Sequence, residues 1–140
     1  MNSGFRSFFR FVFLLPLLFV VTAAGAQQPA DTAQRAIPRF LVYFDEFSAN
    51  LSDEAKSVIA DAAKRARETG AKAIVVQARA SAIGTAETNK YLAQTRCSIV
   101  TDQLVEDGIA RTMIKQEPIG QTGSSDPGIY NRRVDIILEH

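Results

Sequence analysis

The sequence predicts an α+β domain built as a two-layer sandwich, ordered β-α-β-α-β-β, with both helices on one face of a mixed sheet. Three features predict it: two segments with apolar residues at helical spacing, β-branched runs around them, and capping residues or glycines at the junctions. Strand–helix–strand units cross over right-handedly, which stacks the helices on one side of the strands.

Phe40-Leu-Val-Tyr-Phe44 is the first strand, an aromatic and β-branched run that ends in Asp45-Glu46 and a turn through Ser48 to Asn50. Ser52 caps the helix that follows, and Asp53 and Glu54 suit the positive end of its dipole. Ala55, Val58, Ile59, Ala62, Ala63 and Ala66 form its apolar stripe, and Gly70 stops it. Lys72 to Arg79 is the second strand, centred on Ile74-Val75-Val76. The loop Ala80–Gly84 leads to Thr85, the cap of a second helix that runs to about Asp107 and ends at Gly108. Leu92, Cys97, Val100 and Leu104 lie on one side of that helix. Met113 to Ile119 is a weaker third strand, Gly120 to Gly128 a loop, and Arg133 to Leu138 the closing strand.

Ahead of this domain stand a positive head with Arg6 and Arg10, the apolar run Phe11 to Val21, and the small-residue ending Ala24-Gly25-Ala26. That is the form of a secretory signal cleaved before Gln27; with Pro16 inside it, the run is shorter than the ~20 apolar residues of a spanning helix. We therefore expect residues 1–26 to be a signal peptide, 27–39 a flexible polar leader and 40–140 the domain, with no transmembrane segment after signal removal. No cysteine lies near the cleavage point for a lipid anchor.

Removing Arg6 and Arg10 leaves fourteen basic residues against fifteen acidic ones, a net charge of −1 with no basic block. Such a balance argues against nucleic-acid partners. The lone Cys97 excludes an internal disulfide and a cysteine metal cluster, and the sole histidine is the terminal His140. Asp45 and Glu46 are adjacent on a strand and point apart, a poor acid/base pair. Neither an enzyme nor a cofactor or metal is expected. Cys97 reads as a small core thiol, with linkage of two chains through an exposed thiol as the alternative.

Four passages resemble the OmpA-like peptidoglycan-binding domain family: Val42-Tyr-Phe-Asp45 with Ser48 and Leu51; Leu51 to Lys56; Gly84, Asn89, Leu92, Arg96, Val100, Leu104 and Gly108; and Asn131-Arg-Arg-Val-Asp-Ile136. The resemblance spans residues 40 to 138. It implies a non-catalytic periplasmic module of the Gram-negative envelope, associated with the outer membrane or cell wall. The implied partner is peptidoglycan, gripped at the diaminopimelate of the peptide stem by an aspartate and an arginine. Chemically, a carboxylate meets the ammonium of that zwitterion and a guanidinium meets its carboxylate in a bidentate contact.

Carried onto this sequence, the arginine is Arg96 and the asparagine Asn89; seven residues apart, they share a helix face. The alternatives are that Arg96 is a solvated charge or an ion pair with Glu87 or Asp135, and that Asn89 braces the loop. The family's Gly-His/Tyr-Thr-Asp loop is here Ala78-Arg79-Ala80-Ser81, so the aspartate is Ser81, with Ala80 beside it. An uncharged hydroxyl in place of the acid costs about 1.5–3 kcal/mol of recognition. The loop before Asn131 is shorter than the family's, and Arg132 and Arg133 follow it, pointing to opposite faces so that at most one reaches a ligand. The implied function is therefore a wall-binding module with weakened recognition. The alternative is an envelope protein–protein adaptor with a vestigial pocket.

Overall fold

The computed structural model describes residues 37–122 and 128–140. The expected signal peptide, most of the leader and residues 123–127 of the expected loop lie outside the described residues. The element order is β1 (Arg39–Tyr43), α1 (Asp53–Thr69), β2 (Ala73–Ala80), α2 (Ala86–Glu106), β3 (Ile114–Gln121), α3 (Gly128–Asn131) and β4 (Arg133–Glu139), with a 3-10 turn at Arg111–Met113. The sheet runs β1-β4-β2-β3. β2 and β3 pair in parallel, and β4 lies antiparallel between β1 and β2.

The helix boundaries follow from local chemistry. Ser52 accepts from the Ala55 N–H at 3.1 Å, Asp53 and Glu54 occupy the first turn, and Gly70 ends α1 at φ 64°. Thr85 accepts from the Thr88 N–H at 3.1 Å to open α2. The carboxyl ends of the two helices are joined where the Arg67 guanidinium donates to the Asp107 carbonyl at 2.6 Å. Pro118 is tolerated because β3 is an edge strand. Near its end the pairing of β3 with β2 skips Ile119, and Gly120 adopts φ 76°. A Cβ on Gly120 would stand 3.2 Å from the Cα of Lys90, so glycine lets α2 lie close against this strand.

One sequence expectation needs correction at both of its ends. The stretch from Gly120 to Gly128 is not all loop: β3 continues to Gln121, and Gly128–Asn131 form the single-turn α3. A four-residue helix carries no apolar repeat, so nothing in the pattern announces it.

One face of the sheet carries the core. Val42, Ile74, Val76, Val134, Ile136 and Leu138 pack against Ile59, Ala62, Ala63 and Ala66 of α1 and Val100 and Leu104 of α2. The alanines let α1 sit close to the strands, and each fully buried Leu, Ile or Val contributes about 1.5–3 kcal/mol. Cys97 is part of this core, donating to the Val76 carbonyl at 3.3 Å, and burial pushes its thiol up to about 11. The opposite face carries Arg39, Leu41, Gln77, Arg79, Arg133 and Asp135, the alternate residues of β1, β2 and β4.

Candidate functional site

The site lies where β1 and β2 give way to their loops. After β1 the chain passes Phe44 and Asp45 into a tight turn, closed by the Ser48 N–H on the Asp45 carbonyl at 3.2 Å. Phe47 sits in that turn at φ 53°, with a side chain 64 % exposed. A left-handed backbone costs a phenylalanine about 1–2 kcal/mol. After β2 the loop is held by Asn89, whose side-chain amide donates to the Ile83 carbonyl at 3.1 Å. Asn89 is thus the loop brace.

Arg96 joins the two loops from below. Its side chain is completely buried. Nε donates to the Ser48 carbonyl at 2.9 Å, one terminal nitrogen to the Arg79 carbonyl at 3.1 Å, and the other to the Asp45 carbonyl at 3.0 Å. Its guanidinium carbon stands 4.9 Å from the centre of the Phe44 ring, a cation–π contact. Neither of the expected acids meets it: among the described residues no Asp or Glu lies within 4.0 Å of this guanidinium. Arg96 is neither solvated nor ion-paired. It is a buried cation held by carbonyl dipoles, and burial together with the nearby charge of Arg132 lowers its pKa to about 10.

A guanidinium has five N–H groups, so three carbonyls leave one on each terminal nitrogen without an acceptor among the described residues. Burying a cation with incomplete compensation is costly and gives the site a standing preference for an anion.

The other expected site residues divide. Ser81 is 6 % exposed, and its hydroxyl accepts the Ile83 N–H at 3.4 Å, so it serves the loop. Ala80 is buried at the end of β2. Arg132 precedes β4, and its Nε donates to the Phe44 carbonyl at 3.3 Å, placing a second cation beside Phe44. Arg133 goes to the opposite face, where Nε meets Asp135 Oδ1 at 2.8 Å and a terminal nitrogen meets the Tyr130 carbonyl at 2.5 Å. The structure thus brings Arg96, Asn89, Ser81 and Arg132 to one end of the sheet and leaves Arg133 on its far side.

A cleft of about 310 Å³ opens beside Phe44, lined by Tyr43, Phe44, Asp45, Asn50, Ser52, Glu54, Ile129 and Arg132. Of the expected site residues only Arg132 lines it; Arg96, Asn89, Ser81, Ala80 and Arg133 do not. The sequence reading missed Phe44, Glu54 and the carbonyls of Asp45 and Ser48 as site groups. All four lie in the passages that carry the family resemblance, where they read as strand, turn and helix-entry residues.

The model of the OmpA family matches residues 43–132. Among solved structures, the peptidoglycan-associated lipoprotein from Burkholderia pseudomallei superposes with a TM-score of 0.64 at 24 % identity, covering 71 % of this chain and 90 % of that one. The OmpA-like domain of FopA1 from Francisella tularensis gives 0.64 at 20 % identity over 72 % and 73 % of the two chains. The periplasmic domain of Helicobacter pylori MotB gives 0.60 at 18 % identity over 70 % and 69 %. At these identities the structural likenesses bear on the fold. A search of curated protein sequences returned no match.

Proposed function

The chain belongs to the OmpA family, and on that premise we propose that it is a non-catalytic module that binds peptidoglycan in the periplasm through the diaminopimelate of the peptide stem. In this reading Arg96 and Arg132 receive the stem's carboxylate. The turn Asp45–Ser48, hydrogen-bonded over Arg96, shifts to admit it, with Phe47 at its tip. Ser81 leaves the ammonium without its usual acid on the β2–α2 side, which weakens the grip. Residues 1–26 export the chain, and residues 27–39 form the leader ahead of the domain at 40–140.

The observation that carries this reading is the buried guanidinium of Arg96, beside a second cation and with no carboxylate within 4.0 Å among the described residues. Such a site favours an acidic group from outside. The test is co-sedimentation of the mature chain with purified peptidoglycan. The native protein should pellet, and Arg96→Lys, which keeps the charge but not the fork, should bind at least ~10-fold more weakly. A native protein that stays in the supernatant at physiological salt refutes the proposal.

One observation favours a second reading, an envelope protein–protein adaptor. Phe47, Ile83, Ile129 and Tyr130, all on loops or the short α3 near the site, are exposed apolar side chains. An adaptor captures a protein partner from periplasmic extract even after wall fragments have been digested away.

A further inference from the structure

The cleft beside Phe44 is lined by residues of both charges. Arg132 stands on one side; its Nε is taken by the Phe44 carbonyl, and its two terminal nitrogens have no hydrogen-bond partner among the described residues. Glu54, in the first turn of α1, lines the same cleft, and Asp45 adds a second carboxylate. Neither acid reaches Arg132: no ion pair within 4.0 Å joins them among the described residues. An Arg and a Glu that share a cleft without closing on each other leave room for a group carrying both complementary charges. The volume, about 310 Å³, is at the small end of the ~300–1,000 Å³ typical of small-ligand clefts.

We propose that this cleft grips a free amino-acid end, with Glu54, assisted by Asp45, receiving the ammonium and Arg132 the carboxylate. The inference rests on the peptidoglycan reading and assigns its missing part: the acid absent at Ser81 is supplied by the first turn of α1, with Asp45 from the turn after β1. Two further observations support it. Glu54 is kept ionised by its own backbone N–H and the Ser52 hydroxyl, which lower its pKa. Arg132 also bears on Arg96, whose pKa it depresses, so a carboxylate at Arg132 lies within the field of both guanidiniums. Ser81, whose hydroxyl already accepts the Ile83 N–H, is not required in this arrangement.

The experiment is calorimetric titration of the mature chain with meso-diaminopimelate and with its di-N-acetyl derivative, for native protein and Glu54→Gln. Because Glu54 is exposed, Glu54→Gln should melt close to the native chain. Native protein should bind meso-diaminopimelate about 10-fold or more tightly than Glu54→Gln does, and the acetylated compound should not distinguish the two chains. Equal affinity of native and Glu54→Gln for meso-diaminopimelate overturns the assignment. So does a native chain that pellets with the wall but ignores meso-diaminopimelate. A native chain that neither pellets nor binds meso-diaminopimelate refutes the underlying peptidoglycan reading as well.

Discussion

On the helix side of the sheet a cation, Arg96, is buried against three carbonyls and a phenyl ring. On the open side an anion, Asp135, is buried among three guanidiniums: Arg133 at 2.8 Å, Arg39 at 3.6 Å and Arg79 at 3.9 Å. Strand β2 touches both, since Arg79 gives its carbonyl to Arg96 and its guanidinium to Asp135. Asp135 has more positive charge around it than it needs. Arg96 has dipoles but no counter-ion among the described residues. Carbonyls orient a guanidinium without neutralising it, whereas a carboxylate does both. The Asp135 cluster is therefore a charge-compensated clamp across β1, β4 and β2, with Asp135 Oδ2 and Arg79 Nε lacking hydrogen-bond partners among the described residues. The Arg96 site still favours an anion.

The difference is testable by removing each centre. Asp135→Ala should show the largest effect on stability, about 3 kcal/mol, because it strands three arginines on a part-buried surface. Thermal melting followed by circular dichroism should register a fall of roughly 10 °C or more, while wall binding by the folded fraction stays native. A fall under ~3 °C would show that solvent compensates those arginines and that the clamp is not structural.

Arg96→Met should invert the pattern. It removes the donors from the Ser48, Arg79 and Asp45 carbonyls but also removes a buried charge, and these terms oppose each other. The net loss should be about 1–2 kcal/mol by denaturant titration, less than for Asp135→Ala, with wall binding abolished. If Arg96→Met destabilises more than Asp135→Ala and the folded remainder still pellets with peptidoglycan, Arg96 is the structural centre and the comparison is reversed.

The architecture was legible because its determinants are local. Ser52, Gly70 and Thr85 act within a few residues of themselves, and the stripe from Ala55 to Ala66 needs only helical spacing to find the core. The position of Arg96 was legible through the spacing from Gly84 to Gly108, yet its burial was not. A charged residue in the buried stripe of α2, beside Asn89 and Thr101, runs against the apolar periodicity that marks a core face. Its partners Asp45 and Ser48 lie 51 and 48 residues away, and they contribute backbone oxygens, which every residue type possesses. For the same reason Glu54 read only as a helix-dipole partner. Its place in one cleft with Arg132 depends on β1 and β4 pairing antiparallel, which sets the end of β1 beside the residue that precedes β4.

The smallest expected effect is a proton. Burial and Arg132 hold the Arg96 pKa down at about 10, well below the ordinary arginine value. A carboxylate laid against the guanidinium favours its charged form and raises that pKa again. At pH 7 the group is charged both free and bound, so binding exchanges no proton through it. Near pH 10 the free site is about half deprotonated and the bound site is charged, so binding takes up a fraction of a proton, and affinity falls as the pH rises past about 10. Calorimetry of di-N-acetyl-diaminopimelate, a ligand with carboxylates but no titrating ammonium, in two buffers of different ionisation heat should therefore show buffer-dependent enthalpy near pH 10 and none from Arg96 at pH 7. Uptake that is absent in the native chain near pH 10, where the acetylated ligand still binds, would place the carboxylate on Arg132 alone. Arg96 would then belong with Asp135, as a charge buried for the fold.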